Sequence, residues 1–245
     1  MSGLDRYLRL LRFFSEQKST WTVQELSDAM MVPPSSVYRA VHDLIAAGLL
    51  EPSREANYRL GPAFLEFDRL IRHTDPLVRH GSAFLPDIAG QSHVPCVVVL
   101  ARLYGDQVMC VADALSAGTQ FRTSYERGRP MPLTLGATSK TILSQLPTRR
   151  LKKLLAGASS VATSPDFRDE LLAARRHGYC ITRGEVDPGL VGLAVPISFP
   201  ELSITASLSL IIEAGKHDEA VERRLMMLLV SSAGLLQAVL AKDLG

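Results

Sequence analysis

The residues best suited to nucleic-acid chemistry form a short polar set that begins after two prolines. Ser35, Ser36, Tyr38, Arg39 and His42 fall between apolar positions at helical spacing, so we expect them on the outer face of one helix. Hydroxyl groups can bond phosphates and base edges, and an arginine can donate two bonds to a guanine. The set favours a DNA-reading helix; the alternative is a solvated face of a small helical domain.

Another cation lies just beyond this helix. Leu49–Glu51 and Asn57–Leu60 predict two short strands, joined by the polar stretch Pro52–Ala56. Arg54 in that stretch could enter or straddle the minor groove of a duplex. It completes the candidate DNA-binding residues.

Three helices must position these residues. The first is predicted by an apolar stripe made of Leu4, Tyr7, Leu8, Leu11 and Phe14. A capping box from Thr22 to Glu25 starts the second, the two prolines open the third, and Gly48 ends it. Three helices and a hairpin predict a winged helix-turn-helix over residues 1–61, followed by a linker helix over 62–74.

Charge limits how such a domain can bind DNA. Residues 1–73 carry nine Lys or Arg and nine Asp or Glu, and residues 74–245 carry 18 and 16. Because the first segment has no net charge, its affinity must come from a few placed cations. Dimerisation would add a second half-site, so we expect a homodimer or a dimer of dimers. The candidate interface residues are Leu4, Leu8, Leu11, Phe64, Phe67 and Ile71.

Residues 75–245 predict an α+β domain that begins at Asp75-Pro76. A strong helix start at Ser164-Pro165-Asp166 and a stop at Gly178 bound one covering helix. The predicted strands are Val94–Ala101, Val108–Ala112, Tyr179–Thr182, Leu190–Ile197 and Ile204–Leu210. Short strands joined by turns favour an antiparallel sheet with helices packed on it.

The last of these strands alternates strictly between apolar and hydroxyl side chains. Thr205, Ser207 and Ser209 share one face. Such a face either meets solvent or lines a ligand cavity, and the alternation alone favours solvent.

Catalysis is the main rival function for this domain. Cys110 or Cys180 could serve as nucleophile with His177 as base, but His177 lies in the basic last turn of a helix and no orienting third group is marked. The six histidines are scattered and no phosphate-binding loop is present. We therefore expect no catalytic residue, no metal and no cofactor. A protein-interaction module, whose winged helix binds protein, is a second rival.

Cellular location follows from two further features. The three cysteines are odd in number and two sit in apolar runs, which indicates buried thiols in a reducing cytoplasm. Leu225–Ala241 carries no charge over 17 residues, close to the minimum for a membrane span. Its internal Ser231, Ser232 and Gln237 favour a buried or interface helix instead. We expect a cytoplasmic protein with no secretory signal and no membrane partner.

Three motifs together resemble the IclR family of bacterial regulators, over nearly the whole chain. The first is the third helix from Pro33 to Arg39 with the hairpin Leu49–Pro62 behind it. The second is Gly128–Leu133 followed by Ala137–Lys140. The third runs from Arg176 to Tyr179 and from Arg183 to Ile197. The chain departs from the family pattern at Pro34, where a basic residue is usual, and at Ser139, where glycine is common.

The resemblance implies a GAF-like effector domain and a dimeric or tetrameric assembly. It also implies an effector cavity. The positions that match it are Phe121, Thr123, Met131, Ala137, Thr138, Thr182, Leu190, Gly192 and Ser209. Ala137 and Thr138 match a helix start whose backbone amides face the ligand.

Helix-terminus chemistry agrees with that cavity. A helix that starts near Gly136 would aim unpaired N–H groups and a positive dipole end at a carboxylate. Phe121, Met131 and Leu190 would supply apolar walls. The sequence therefore predicts a regulator that binds double-stranded operator DNA and responds to a small organic acid, with aromatic acids allowed.

Overall fold

The chain forms two compact units, Met1–Thr74 and Asp75–Gly245. This computed structural model describes residues 3–156 and 164–243. The predicted linker helix over residues 62–74 is counted within the first unit. The ends of the predicted domains at residues 1–2 and 244–245 lie outside the described residues.

Four helices and a small sheet make up the described part of the first unit. Its elements are α1 (Gly3–Leu11), β1 (Trp21–Thr22), α2 (Val23–Met30), α3 (Pro34–Ala46), β2 (Leu50–Pro52), β3 (Asn57–Leu60) and α4 (Ala63–Thr74). The antiparallel strand order is β1-β3-β2, which adds a strand at Trp21 that the sequence did not predict. Its core is built from Leu10, Leu26, Met30, Val37, Ala40, Val41, Leu44 and Leu50.

The predicted stripe of the first helix is partly wrong. The helix ends at Leu11, and its buried residue is Leu10, while Leu4 and Leu8 are 65% and 44% exposed. The chain leaves the helix here because the indole N–H of Trp21 donates a 3.1 Å hydrogen bond to the carbonyl of Phe13. The exposed leucines leave an apolar face on this helix.

The second unit is an antiparallel sheet covered on both faces. Its elements are α5 (Pro76–Ser92), β4 (Val97–Tyr104), β5 (Gln107–Leu115), β6 (Pro130–Met131), α6 (Gly136–Ser144), α7 (Thr148–Leu155), α8 (Pro165–His177), β7 (Cys180–Arg183), β8 (Leu190–Phe199), β9 (Ile204–Glu213) and α9 (Glu219–Lys242). The strand order is β6-β5-β4-β9-β8-β7. This confirms the α+β class.

Each face of the sheet has its own core. Helices α5 and α9 pack on one face, where Leu100, Leu193 and Leu208 are fully buried. Helix α6 packs on the other, against Val99 and Ile211. Because both faces are covered, the central strands β4 and β9 are buried along nearly their whole length.

The first strand of the sheet starts three residues later than predicted. His93 caps α5 in the left-handed region, with φ of 52°, and Pro95 has no N–H to pair. Strand pairing therefore begins at Val97, opposite Leu115. The predicted caps of α8 are confirmed: Ser164 Oγ accepts the Phe167 amide at 3.2 Å, and Gly178 adopts φ of 74°.

Helix α9 is long and apolar enough to cross a membrane by length and composition. In this unit it lies against α5 and β8, with Leu225, Leu229, Leu236 and Leu240 at most 1% exposed. These leucines bury one face of α9, while Met227, Val230 and Leu235 are 71%, 53% and 60% exposed. The expected alternative to a span was a buried or interface helix, and one buried face with one exposed apolar face agrees with it.

Candidate functional site

Helix α3 presents the predicted polar set on its outer face. Ser35, Tyr38, Arg39 and His42 are exposed and Ser36 is half-buried, while Val37, Val41 and Leu44 face the core. Within the described residues, the side chains of the polar set make no hydrogen bond or ion pair. Their donors and acceptors are available to a partner.

Contacts from the neighbouring helices fix where α3 lies. Tyr7 Oη donates to Asp43 Oδ2 at 2.6 Å, which ties α1 to α3. Ser27 Oγ donates to the carbonyl of Val32 at 2.6 Å, and Met31 adopts φ of 56° to close the tight turn between α2 and α3. The turn is therefore held by side-chain bonds where a glycine would otherwise be favoured.

The wing turn carries Arg54 into solvent. Glu55 and Ala56 both have positive φ, and Asn57 Nδ2 donates to the Arg54 carbonyl at 3.1 Å. Arg54 is exposed at the tip. The geometry is that of a winged helix-turn-helix, but its individual DNA contacts remain predictions.

In the second unit, the start of α6 lies at a polar cluster buried within the domain. Gly136 N donates to Glu185 Oε2 at 2.9 Å, and Ala137 N donates to Thr182 Oγ1 at 2.9 Å. The expectation that these two amides are unpaired is wrong, because β7 and the loop after it cap the helix. A carboxylate does sit on the helix N-terminus, and it belongs to the protein.

Hydroxyl groups from β9 complete this cluster. Thr138 Oγ1 donates to Ser209 Oγ at 3.0 Å, and Ser207 Oγ donates to the Thr138 carbonyl at 3.2 Å. All three side chains are fully buried. The solvent interpretation of the hydroxyl face is therefore wrong for Ser207 and Ser209, which meet α6.

Tyr125 also belongs to the cluster, although no sequence pattern pointed to it. Burial raises the pKa of its phenol to about 12, although a hydrogen bond with the Thr138 hydroxyl lowers that pKa in part. Its position is set by Asp187, which accepts from Ser124 Oγ at 2.6 Å and from Thr123 Oγ1 at 2.7 Å. Tyr125 thus stays neutral and able to donate.

A small cavity of about 10 Å³ lies beside the start of α6, room for one water at most. It is lined by Tyr125, Thr182, Gly184, Glu185, Val186, Asp187, Leu190, Gly192 and Ile211. Three predicted residues line it directly, namely Thr182, Leu190 and Gly192. Ala137 lies against Gly192, where an added Cβ would be 3.5 Å from the Ala137 Cβ.

The remaining predicted residues lie around the cavity. Thr138 and Ser209 form the hydroxyl pair behind it. Phe121 is half-buried against the core, and Met131 is buried on β6 opposite Val108. Thr123 donates to Asp187, which lines the cavity. The expected roomy cavity is absent from the described part of this domain at this place, because side chains fill it.

A buried lysine supports the cap of α6. Lys140 Nζ lies 2.7 Å from both Glu185 Oε1 and Glu170 Oε2, with its side chain 6% exposed. Burial lowers the pKa of this amine, but the hydrogen bonds with the two carboxylates outweigh it and the pKa is raised. Lys140 is therefore charged and links α6, α8 and the β7–β8 loop.

The cysteines do not form a nucleophilic site in this structure. Burial raises the pKa of Cys110 to about 12 and that of Cys180 to about 11, so both are thiols. His177 is exposed and stacks on Tyr179 with ring centroids 5.7 Å apart. Among the described residues, no group of His, Cys, Asp or Glu could hold a metal ion.

Comparison with known proteins decides the family. A family model described as IclR helix-turn-helix domain matches residues 3–54, and one described as Bacterial transcriptional regulator IclR C-terminal matches residues 73–236. The chain belongs to the IclR family of bacterial transcriptional regulators. The predicted family and its two-domain plan are confirmed.

Relatives agree along most of the chain. The Pca regulon regulatory protein of Pseudomonas putida is 27% identical over 244 residues, covering 96% of this chain and 83% of the relative. The regulator KipR of Bacillus subtilis is 28% identical over 226 residues, covering 89% and 87%. These relatives are transcriptional regulators, as is this IclR-family chain.

Solved structures share the fold. An IclR regulator from Alicyclobacillus acidocaldarius has a TM-score of 0.79 at 20% identity, covering 98% of each chain. An IclR homologue from Microbacterium hydrocarbonoxydans, solved with 4-hydroxybenzoate, has a TM-score of 0.75 at 18% identity and covers 98% of this chain and 99% of its own.

The start of α6 gives a test of the site geometry. Gly136 has φ of +83°, and an added Cβ would lie 2.5 Å from Tyr125 Oη and 2.7 Å from Val186 Cγ2. Gly136→Ala should therefore lower the free energy of unfolding in two ways. The left-handed backbone is unfavourable for alanine, and the steric clash adds about 1–3 kcal/mol to that conformational cost. Urea unfolding of the full chain would measure the loss.

Gly178→Ala is the matched control, since Gly178 has φ of +74° with nothing within 4 Å of an added Cβ. It carries the conformational cost without the clash. Equal losses in the two variants would contradict the packing of Tyr125 over the helix start.

Proposed function

We propose that this IclR-family protein binds operator DNA through α3 and the wing, and that a small organic acid bound beside α6 modulates that binding. The observation that carries the proposal is the polar cluster at the start of α6, in which Thr138, Ser207 and Ser209 are fully buried. Buried hydroxyls and a helix N-terminus in an apolar domain are typical of ligand sites with few, placed polar groups.

The chemistry of this cluster favours an acid. The first amides of α6 already hold a carboxylate, that of Glu185, and a hydroxyl, that of Thr182. A ligand carboxylate offers the same acceptor oxygens and the same favourable interaction with the helix dipole. The relative solved with 4-hydroxybenzoate supports an aromatic acid, for which Leu190 and Ile211 would form apolar walls.

Ligand entry must open the site. A cavity of about 10 Å³ holds no organic acid, so binding selects or produces a wider conformation of the β7–β8 loop. A ligand shifts a conformational equilibrium only through such a difference in affinity between the two states. A domain that must open to bind its ligand has two conformations, and it is therefore suited to a switch.

Catalysis forms no part of the proposal. Both candidate nucleophiles are neutral buried thiols, and the relatives are regulators. Because its operator would lie on chromosomal DNA, we propose a cytoplasmic location.

Arg39 gives the sharpest test of DNA reading. Arg39→Ala should weaken specific operator binding by about 1–3 kcal/mol if the guanidinium bonds a guanine edge. Fluorescence anisotropy with the protein's own upstream region would measure it.

Arg12→Ala serves as the control, because Arg12 is an exposed cation of the same unit outside α3. The two variants remove the same charge. Unchanged operator affinity in a folded Arg39→Ala protein would refute the assignment.

Assembly should rest on apolar side chains left uncovered in the first unit. Within the described residues, helix α4 buries none of its own, and Phe64, Phe67 and Ile71 are exposed. Such a cluster marks an interaction surface, as does the exposed pair Leu4 and Leu8. We therefore propose a homodimer formed through α1 and α4.

Phe67→Asp should shift the protein towards the monomer and weaken operator binding, since a charge would be buried in the interface. Light scattering at micromolar concentration measures the mass. Leu65→Asp, at an exposed α4 position outside the predicted set, is the control. A wild-type monomer that binds operator tightly would contradict the proposal.

Gly192 tests the effector cavity. An added Cβ there meets Ala137, Thr182 and Ile211 at 3.5–3.6 Å, ordinary contact distance, so Gly192→Ala should fold and bind. Gly192→Leu should fill the cavity and abolish binding of 4-hydroxybenzoate, and Thr138→Ala should weaken it modestly. The measurement is a thermal-shift panel of benzoate, 4-hydroxybenzoate and short aliphatic acids.

Ligand and operator must also affect each other equally. If an acid from that panel changes operator affinity, operator must change the affinity for the acid by the same factor. A Gly192→Leu protein that still responds to the acid would place the effector elsewhere.

A further inference from the structure

A second, much larger cavity lies at the other end of α6. Its volume is about 430 Å³, within the range of ligand sites in proteins. Apolar side chains from the end of α6, from α7 and from α8 form most of its walls. They are Leu143, Leu146, Leu151, Leu155, Phe167 and Leu171.

The walls of this cavity belong to the core of the domain. Leu143, Leu146, Phe167 and Leu171 are at most 5% exposed and pack into the cluster under the sheet. The cavity is therefore bounded by side chains that cannot move without disturbing the core. Helix α6 has nine residues, which is about 13 Å of helix, and the two cavities lie near its opposite ends.

Cations surround this apolar space. Lys152, Arg168 and Arg175 contribute to its lining and are exposed. Within the described residues, none of the three pairs with an acid. Residues 148–177 hold seven Lys or Arg and three Asp or Glu, a net of +4 in a chain whose formal net charge is +2.

The few acids of this region do not neutralise the lining. Glu170 is bound to Lys140 at 2.7 Å, which leaves Asp166 and Asp169 as exposed acids of α8. An apolar cavity edged by unpaired guanidinium groups is complementary to a molecule with an apolar body and one carboxylate, which arginine can bind through two hydrogen bonds.

We propose that this cavity is a second ligand site, and that it takes a carboxylate with an extended apolar tail. The tail lies among the leucines and Phe167, and the carboxylate meets Arg168 and Arg175. The site is separate from the cavity beside Gly192 and does not depend on the effector proposed there. Helix α6 lines this cavity through Leu143 and Ser144 and contacts the residues of the other through Ala137, so each ligand can affect the affinity for the other.

Calorimetric titration of the full chain with decanoate, below its micelle concentration, tests the site. Decan-1-ol and decyltrimethylammonium are probes with the same tail and a neutral or positive head. Decanoate should bind at least tenfold more tightly than either. Gly192→Leu should leave the decanoate affinity within twofold, which separates this site from the effector cavity.

Charge reversal locates the head group. The double variant Arg168→Glu and Arg175→Glu should weaken decanoate at least tenfold. The matched control is Arg149→Glu with Arg150→Glu, because these exposed α7 cations are not part of the lining, and it should change the affinity less than twofold. Leu155→Trp, at a half-buried position, should block the tail.

Four results would overturn the proposal. They are no binding of decanoate, equal binding of all three probes, equal weakening by the two charge reversals, and loss of decanoate binding in Gly192→Leu. The third would indicate a basic surface that attracts any anion, nucleic acid included, and the fourth would place decanoate in the effector cavity.

Discussion

A buried ammonium group sets the arrangement of the second domain around α6. Lys140 is nearly inaccessible, and an uncompensated charge at such depth would be strongly unfavourable. Two carboxylates meet it, Glu170 from α8 and Glu185 from the β7–β8 loop. Removing both partners would leave a buried charge unpaired, so the ammonium favours the arrangement in which α6, α8 and the β7–β8 loop meet.

Glu185 connects Lys140 to the N-terminus of α6. One of its oxygens accepts from Lys140 and the other from the amide of Gly136. The close approach needs a residue without a Cβ, because Tyr125 and Val186 occupy the space beside Gly136. A ligand group that took the Gly136 amide would therefore disturb Glu185 and, through Lys140, the position of α8.

Local signals of the sequence predicted local structure well. The capping box at Thr22 forms with both of its bonds, and α8 begins and ends where Ser164 and Gly178 indicate. The helix boundary at Leu11 was missed because it depends on a distant residue. Trp21, ten residues further on, donates to the backbone carbonyl of Phe13. Helix α7 was also missed, although its leucines and cations alternate with helical spacing.

Long-range contacts of the site could not be derived from spacing. Gly136 and Glu185 are 49 residues apart, and Thr123 and Asp187 are 64 apart. The family resemblance gave Ala137, Thr138, Gly192 and Ser209, which do converge, but no pattern marked Tyr125 or Glu185 as their neighbours. Alternation along β9 favoured solvent for its hydroxyls. That prediction was wrong because α6 covers this face, and nothing in the sequence of the strand itself reveals the cover.

The closed site bears on the kind of effector that we propose for it. Among the described residues, the buried side-chain atoms without a partner are Arg6 Nε, Thr141 Oγ1 and Gln145 Oε1, and none of them lines the cavity beside Gly192. The buried side-chain polar atoms that line this cavity thus already have partners, so a ligand must replace each bond that it breaks.

The two bonds at the helix start are both made to acceptors, Glu185 Oε2 and Thr182 Oγ1. A carboxylate brings two acceptor oxygens on one rigid group and can replace both at once. An alcohol or amide brings one strong acceptor and leaves a buried N–H unpaired, which costs about 1–3 kcal/mol. Under the proposed function, selectivity for acids follows from the two bonds at the start of α6.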